Sequence, residues 1–397
     1  MQSGKRKLPA EEEEAGEHRT TNVRHDAASS SSSSSLVSPP PAISEEEAAL
    51  YDRQIRLWGA QAQQRMRASR VLLCNLRGLL VEVAKNIVLA GVGSVTLLDA
   101  ATVSEADLSA QFFLGEADIG KNRGEACLEK IKALNPKVEV RCEAVDLDSK
   151  TEEELCSYNV ICLSNCSLSS MLRVDKICRK HKIPLFITDS FGYQAFIFSD
   201  LDRYVYIEEE TDEEKKYRKK QNKNNNNNTE PKKQRAMHTK EISSPSLEDV
   251  FSTKVNWADS TLQRTPKLFF TLPILSQWSE ENGGRYPTSK EEEESLLKFA
   301  HEMLSARNVP SSFLSDEFIR TTAKTAMAEL SPVCAIVGGI LGQQVINVLS
   351  GKDEPLHNFF FYDVQRGVGL VEKIGPTSSS SSSSSPNNEQ QSLVIEL

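Results

Sequence analysis

A short apolar strand, a turn and an amphipathic helix follow one another in VLLCNLRGLL, residues 71–80. Nucleotide sites built on this frame place G-x-G-x-x-G in the turn, so that phosphate oxygens can approach the backbone amides that begin the helix. Here Asn75 and Leu80 stand at the first and third glycine positions, and only Gly78 remains. Asp99 follows about twenty residues later, where Rossmann-like units place an acid for a ribose hydroxyl. The segment therefore keeps the frame of a nucleotide site and lacks most of its glycines.

Alternating strands and helices surround this turn. Strands are predicted at 71–74, 95–98, 138–142, 160–163, 184–188 and 195–198, with helices between the earlier ones. This alternation is typical of an α/β fold with a mostly parallel sheet covered by helices, whose ligands bind at the carboxyl edge of the strands. A strongly apolar helix at 332–351, in which Gly338-Gly339 permits close packing, precedes two late strands at 359–363 and 368–372. The sheet is therefore predicted to be completed by the end of the chain.

A helix beginning near residue 45 precedes the turn. Ser44 and Glu47 form a capping-box pattern at its start. An apolar stripe follows at helical spacing, made of Tyr51, Ile55, Trp58 and Ala62. Arg53 lies away from this stripe, so its side chain is predicted to reach outward.

Composition divides the 397 residues into folded and biased segments. Acidic, serine and proline runs predict a disordered tail at 1–43, and a serine run predicts a second one at 375–397. The charged, asparagine-rich segment 208–257 is predicted to be a flexible insertion. The remaining segments are a Rossmann-like domain at 44–207, a helical insertion at 258–330, and the last helix and strands of the domain at 331–374.

Net charge and the length of apolar runs argue against two classes of protein, those that bind nucleic acid in general and those that span a membrane. The net charge of −9 argues against general nucleic-acid binding, and no apolar run reaches the ~18 residues of a membrane span. Basic residues nevertheless cluster at Lys215, Lys216, Arg218, Lys219, Lys220, Lys232, Lys233 and Arg235. Such a cluster is typical of a nuclear localisation signal and equally of a solvated charge run. The first interpretation predicts a nuclear protein, with a cytoplasmic pool also allowed.

The eight cysteines sit singly, and none forms a C-x-x-C pair. This spacing favours reduced thiols in an intracellular protein over disulfides or a zinc site. We therefore predict no metal site on this chain. His181 and His301 are isolated in the sequence, and neither is assigned a role.

An ordered set of motifs gives a family resemblance. The motifs are YDRQIRLWG at 51–59, the degraded turn, LLDA at 97–100, AQFF at 110–113, IGKNRGEA at 119–126, LNP at 134–136 and SPVCAIVGGILGQQVI near the end. Together they resemble the adenylation domains that activate ubiquitin-like proteins, and most of all the small subunits of heterodimeric SUMO-activating enzymes. The resemblance covers 44–207 and 330–374, and more loosely the helical insertion.

The resemblance implies a chemistry and also shows where this chain departs from it. Active members bind ATP and magnesium, adenylate the C-terminal glycine of the small protein and pass it to a cysteine in a separate domain. Against their pattern, Asn75 and Leu80 replace glycines and Ala110 replaces a phosphate-binding arginine. Arg123 replaces a lysine, and Ser164 replaces the magnesium-binding acid. The chain is therefore predicted to be the inert half of a pseudo-symmetric heterodimer. In that setting Asp99 is predicted to make a structural hydrogen bond, although ribose binding stays open.

One residue would still act in the chemistry. The family's Arg-Gln-Ile segment sends its arginine across to the partner's ATP phosphates, and Arg53 in 51–55 matches it. The alternative is a surface arginine paired with an acid such as Asp52 or Glu47. The resemblance thus implies that ATP and magnesium are bound by the large catalytic subunit and none by this chain alone. It further implies SUMO as the substrate and the SUMO-conjugating enzyme as a later partner of the complex.

Two further features concern thiols and the tail. The segment 208–330 contains no cysteine. Cys74, Cys162 and Cys334 are predicted to be inert core thiols, and Cys156, Cys166 and Cys178 lie on the Rossmann-like domain, away from where a catalytic-cysteine domain would fall. No thioester cysteine is therefore expected here. The C-terminal residues Leu393, Val394, Ile395 and Leu397 with Glu396 resemble a SUMO-interacting motif, which adds a strand to a sheet edge of SUMO. A tail without function is the other interpretation of this short pattern.

Three alternative functions remain. The inert subunit of the NEDD8-activating enzyme has the same chemistry but normally carries a much longer helical insertion. A homodimeric adenylase of the sulfur-carrier type would need the intact turn, the magnesium acid and usually C-x-x-C pairs. A pure scaffold with a Rossmann fold would have no need of Arg53.

Overall fold

The computed structural model describes residues 43–209, 237–252, 259–375 and 393–396. The predictions for the N-terminal tail, for the basic clusters between 215 and 235 and for the serine run lie outside these residues.

Nine of the strands form one sheet. The strands are β1 (Arg70–Cys74), β2 (Ser94–Leu98), β3 (Glu139–Glu143), β4 (Val160–Leu163), β5 (Leu185–Phe191), β6 (Gln194–Asp200), β7 (Arg203–Glu209), β8 (Met237–Ser243), β9 (Asn358–Asp363), β10 (Val368–Glu372) and β11 (Leu393–Glu396). The order is β11-β10-β9-β6-β5-β4-β1-β2-β3, and β7 pairs with β8 separately. Strands β5, β4, β1, β2 and β3 run parallel, and the strands beyond β5 are antiparallel. The predicted α/β class and the parallel section of the sheet are confirmed.

Helices cover both faces of the sheet. They are α1 (Glu45–Leu50), α2 (Asp52–Trp58), α3 (Ala60–Arg67), α4 (Gly78–Ala90), α5 (Arg123–Lys132), α6 (Glu152–Leu155), α7 (Leu168–His181), α8 (Leu247–Val250), α9 (Asp259–Arg264), α10 (Lys267–Glu281), α11 (Lys290–Ala306), α12 (Asp316–Lys324) and α13 (Ser331–Ser350). Side chains alternate between two apolar clusters along β1, because successive strand residues face opposite sides. Leu72 belongs to the cluster with α7 and α10–α12, and Leu73 belongs to the cluster with α4 and α13.

Helix α13 is the one described helix that is long and apolar enough to cross a membrane, with 61% of its most apolar window buried. The sequence prediction that no apolar run reaches this length is therefore wrong for 331–350. Helix α13 is apolar because it packs against α4 in the core. A Cβ on Gly338 would lie 2.6 Å from Glu82 Cβ, and one on Gly342 would lie 2.9 Å from Asn86 Cβ. Close packing is confirmed at Gly338, whereas Gly339 has nothing within 4 Å.

The predicted N-terminal helix is three short helices. The capping box is present, with Glu47 N donating to Ser44 Oγ at 3.2 Å and Ser44 N donating to Glu47 Oε2 at 3.0 Å. Gly59, with φ of 88°, separates α2 from α3, a backbone angle that only glycine adopts freely. Of the predicted stripe, Tyr51 and Ala62 are buried and the other two residues are half-buried.

Two segments predicted to be disordered contain regular structure. Residues 237–243 lie inside the predicted flexible insertion but form β8, which pairs antiparallel with β7, and α8 follows it. Strand β8 (MHTKEIS) is mostly polar because its side chains are largely exposed, and that composition concealed the strand. Similarly, 393–396 in the predicted disordered tail form β11, which pairs with the edge strand β10. An aliphatic segment of this kind has high strand propensity and completes an otherwise open edge. The four helices α9–α12 agree with the predicted helical insertion.

Candidate functional site

The turn after β1 is held by Asn75 in the left-handed conformation, with φ of 65°. Asparagine tolerates this region better than other residues with side chains, which explains how it can replace a glycine here. Asn75 Nδ2 donates to the carbonyl oxygen of Ser164 at 2.8 Å and to that of Asn165 at 3.1 Å. The side chain at the first glycine position thus ties the β1 turn to the β4 turn.

The amides at the start of α4, where this frame would bind phosphate, already have an anionic partner. Gly78 N donates to Glu329 Oε2 at 2.8 Å, and Leu79 N lies 3.3 Å from Glu329 Oε1. Arg77 Nε lies 3.7 Å from the same carboxylate, and Arg77 Nη2 donates to the carbonyl oxygen of Met327 at 2.6 Å. Glu329 is buried. A carboxylate of this chain therefore occupies the place of a phosphate, as the positive end of a helix favours.

Leu80 and Ala110, which replace a glycine and an arginine of active members, contribute to the core. Leu80 is fully buried in the cluster with α13, so Glu329 rather than Leu80 excludes phosphate at this helix end. Ala110 is also buried, and its Cβ would lie 2.5 Å from a Cβ on Gly78. The retained glycine is required for this contact, and a longer side chain at position 110 would have to displace the start of α4.

Asp99, at the position of the ribose acid, and Arg123, at the position of the family's lysine, bind each other. Arg123 donates from Nε to Asp99 Oδ2 at 2.8 Å and from Nη2 to Asp99 Oδ1 at 3.1 Å. Leu76 N also donates to Asp99 Oδ2, at 2.7 Å, and Asp99 has no exposed surface. These contacts favour the structural interpretation of Asp99 over ribose binding.

Arg123 also binds a second carboxylate. Its Nη1 donates to Asp107 Oδ1 at 2.9 Å. Burial opposes ionisation of Asp107, but hydrogen bonds from Ser104 and the Arg123 guanidinium outweigh it and lower the pKa of Asp107. Arg123 is therefore neutralised by two buried carboxylates and offers no charge to a phosphate.

Sequence reasoning missed an acid beside the predicted magnesium position. Ser164 Oγ donates to Asp189 Oδ1 at 2.9 Å, and Asn165 N donates to the same oxygen at 2.5 Å. Burial raises the pKa of Asp189 to about 6, so the carboxylate is largely ionised at neutral pH. Magnesium sites in nucleotide enzymes use one or two carboxylates together with the substrate phosphates. Because Glu329 stands in the phosphate place, the residues of this half-site do not fit ATP with magnesium.

Glu329 and Asp189 had no signal in the sequence. Glu329 lies 251 residues from Gly78, and only the packing of α13 on α4 brings the two together. Asp189 lies on β5, 25 residues beyond Ser164 and one residue past the strand predicted at 184–188.

Arg53 lies in the first turn of α2 and is exposed. The two acids that could have paired with it bind other arginines. Asp52 pairs with Arg56 at 3.0 Å, and Glu47 pairs with Arg67 at 2.9 Å. Within the described ranges, Arg53 makes no ion pair or hydrogen bond, so its charge is available to another molecule.

The described cysteines offer no activated thiolate. Five of the eight are buried, namely Cys74, Cys127, Cys162, Cys178 and Cys334. Burial raises the pKa of Cys127 to about 12 and that of Cys142 to about 11, and it also raises the pKa of Cys156 and Cys162. A thiol with a raised pKa is a poor nucleophile at neutral pH.

Comparisons with known proteins show which family this chain belongs to. The ThiF family profile matches residues 51–381. SUMO-activating enzyme subunit 1 of Rattus norvegicus is 39% identical over 337 residues, which cover 83% of this chain and 95% of that protein. The Homo sapiens protein of the same name is 39% identical over 342 residues, covering 83% and 95%, and the Danio rerio protein is 40% identical over 335 residues, covering 82% and 94%. With its turn, sheet and final helix in the matched region, this chain belongs to the ThiF family and is related within it to the SUMO-activating enzyme subunit 1 proteins.

Proposed function

We propose that this chain is the small, non-catalytic subunit of a heterodimeric SUMO-activating enzyme. In that role it supports ATP-dependent adenylation of the SUMO C-terminus and transfer of SUMO to a cysteine of the partner subunit. The similarity to SUMO-activating enzyme subunit 1 proteins supports this proposal, because the matches cover 94–95% of the length of those relatives.

The observation that carries the inactivity of this chain alone is the contact between Glu329 and the start of α4. A carboxylate on the two amides would repel the phosphates of ATP. The ion pair between Asp99 and Arg123 removes two further groups from use. ATP and magnesium are therefore assigned to the partner subunit, and no cofactor is assigned to this chain.

Arg53 is the residue through which this chain would take part in the chemistry. Its exposure, and the pairing of Asp52 and Glu47 with other arginines, support a guanidinium that extends to the partner's ATP phosphates. A cation supplied in trans stabilises charge that develops on the phosphates in the transition state.

The remaining assignments complete the proposal. The large subunit is the stable partner, SUMO is the substrate, and the SUMO-conjugating enzyme binds the complex at a later step. No nucleic acid or membrane takes part. The basic clusters between 215 and 235 support a nuclear location by composition alone.

The C-terminal segment 393–397 remains proposed as a SUMO-interacting motif. Its residues 393–396 pair with β10 in this structure, so binding to SUMO would require exchange of one sheet edge for another. Labelled SUMO titrated with a peptide of residues 380–397 tests the segment. Shift changes in one SUMO edge strand would support it, and none at millimolar peptide would exclude it.

The alternatives are less well supported. Because the relatives are SUMO-activating enzyme subunit 1 proteins, SUMO is favoured over NEDD8 as the substrate. A sulfur-carrier adenylase would need a working phosphate site, and a scaffold would not need the unpaired Arg53.

The test is SUMO-dependent exchange between ATP and pyrophosphate by this chain alone, the partner alone and the mixture. We expect exchange only in the mixture. Exchange by this chain alone would contradict the assignment of its site as inactive, and exchange by the partner alone at the rate of the mixture would contradict its role as a required subunit.

A further inference from the structure

Three metal-binding side chains come together at the surface where α6 meets the end of α7. Glu152 and Cys156 lie one helical turn apart, and His181 is the last residue of α7. One ligand atom from each lies within 4.8 Å of the others. The sequence places His181 25 residues after Cys156 without a recognisable motif, so only the fold brings the three together.

We infer that Glu152, Cys156 and His181 form a binding site for a divalent cation of the zinc type. Carboxylate oxygen, thiolate sulfur and imidazole nitrogen are the donors that zinc accepts, commonly as three protein ligands with water in the fourth tetrahedral position. Because the set combines a soft thiolate with a nitrogen donor, it selects against magnesium and calcium, which prefer oxygen ligands. This site is independent of the proposed function.

The contacts already present favour a cation. His181 Nε2 lies 2.6 Å from Glu152 Oε1, so both atoms could bind the same cation. The negative end of the fourteen-residue helix α7 coincides with His181, and helix C-termini stabilise cations. The carboxylates of Glu152 and Glu153 act electrostatically on the Cys156 thiol, and their negative charge also attracts a cation.

One group competes with the metal. Lys180 Nζ donates to Glu152 Oε1 at 2.7 Å and must move aside when a cation binds. The Lys180 side chain is 65% exposed, so water can solvate its ammonium group after that movement. Binding of the metal displaces the proton of the Cys156 thiol, and affinity therefore rises with pH.

The site is remote from the nucleotide half-site. Helix α6 leads into β4 and α7 leads into β5, so both helices meet the amino ends of these strands. Asn75 and Ser164 lie at the opposite, carboxyl edge. A cation here would link α6 to α7 and would leave the chemistry at Arg53 unaffected.

Cobalt(II) is the probe, because zinc is spectroscopically silent and cobalt bound to thiolate gives a charge-transfer band. The reduced, chelator-treated full chain is titrated with cobalt and then with zinc. We expect a thiolate–cobalt band that zinc removes, and at least about tenfold weaker binding in Cys156→Ser and His181→Asn. Lys180→Met should bind cobalt about fivefold more tightly, because a competing charge is lost.

The matched control is His301→Asn. His301 Nε2 pairs with Asp316 Oδ1 at 3.0 Å in a similar exposed His–carboxylate pair without a neighbouring cysteine, and its loss should leave the band unchanged. Zinc should also raise the Tm of the native chain but not that of Cys156→Ser. Absence of the band with cobalt in excess, or a band of equal strength in both ligand variants, would overturn the inference.

Discussion

At the scale of single residues, Glu329 is the side chain that decides what the start of α4 can bind. It accepts hydrogen bonds from the amides of Gly78 and Leu79 and lies beside Arg77. The frame of a phosphate-binding turn has thus been retained with an internal anion in place of the external one. This contact stabilises the folded chain, because buried amides without hydrogen-bond partners would cost free energy.

Replacing Glu329 tests this interpretation. Glu329→Ala should lower the free energy of unfolding by about 2–4 kcal/mol, because two buried amides and the buried Arg77 lose their partner. Urea denaturation measures the change. Glu302→Ala is the control, since Glu302 is exposed and its loss should change stability by less than about 0.5 kcal/mol.

The Glu329→Ala chain should still fail to bind ATP, because Asp99 and Arg123 remain paired. Equilibrium dialysis with labelled ATP measures this directly. Binding of ATP in the micromolar range by the variant would mean that Glu329 alone had blocked a working site.

At the scale of elements, two glycines determine how closely α13 approaches α4. Gly338 and Gly342 face Glu82 and Asn86 across the contact, whereas Gly339 faces open space. The sequence showed an adjacent pair of glycines but could not show which of them lies at the contact, because that depends on the rotation of α13 against α4.

Alanine substitutions at Gly338 and Gly339 test which of the two glycines lies at the contact with α4. Gly338→Ala should destabilise the chain by about 1–3 kcal/mol through overpacking. Gly339→Ala should be neutral or stabilising by up to about 1 kcal/mol, because alanine favours a helix. Thermal and urea unfolding of the two variants provide the comparison, and equal destabilisation by both would contradict the packing described.

A buried carboxyl links α7 to the start of α8. Asp175 Oδ2 accepts a hydrogen bond from Leu247 N at 3.1 Å, and Asp175 is fully buried. Nearby, Asp200 on β6 binds Arg179, which also contacts Asp202. Burial and the neighbouring Asp200 raise the pKa of Asp175 from its ordinary 3.8 to about 8.

This shift predicts a pH dependence of stability. A folded-state pKa above the unfolded value means that the folded chain holds the proton more tightly, so its contribution to stability is lost as pH rises towards 8. The pKa of Asp189 is raised only to about 6, and its contribution is already lost near neutral pH. Between pH of about 6.5 and 8, stability should therefore fall by up to roughly 1.4 kcal/mol per pH unit through Asp175.

Asp175→Asn should flatten this slope, since an amide can accept the Leu247 hydrogen bond and donate to Asp200 without titrating. Urea denaturation at several pH values measures the slope in both chains. Glu302→Gln, at an exposed acid, is the control and should leave it unchanged. An unaltered slope in Asp175→Asn would contradict the raised pKa.

At the scale of the whole molecule, local pattern predicted the parts that depend on neighbouring residues. The parallel strands and the outward position of Arg53 follow from hydrophobic periodicity, the capping box at Ser44 follows from the Ser-x-x-Glu spacing, and all three were predicted correctly. Glu329 and Asp189 were missed because their partners lie far away in sequence and only tertiary packing pairs them. Strand β8 was missed because its exposed, mostly polar residues resemble those of a flexible segment.

The molecule as a whole is an adenylation-type frame in which internal pairs satisfy its own nucleotide groups. The proposed contribution of the chain to catalysis then depends on a surface residue. Arg53 is exposed and unpaired within the described ranges, and Arg56, three residues on, is exposed but held by Asp52. The two arginines therefore provide a test and its control on the same helix.

The most direct measurement is SUMO-dependent exchange between ATP and pyrophosphate by the reconstituted heterodimer, with native chain, Arg53→Ala and Arg56→Ala compared at equal complex concentration. We predict that Arg53→Ala lowers the rate by at least about tenfold, on the scale of a cation supplied in trans to phosphates, while Arg56→Ala retains the native rate. A native exchange rate in the heterodimer that carries Arg53→Ala would contradict the proposed role of Arg53, and the chain would then act only as a scaffold.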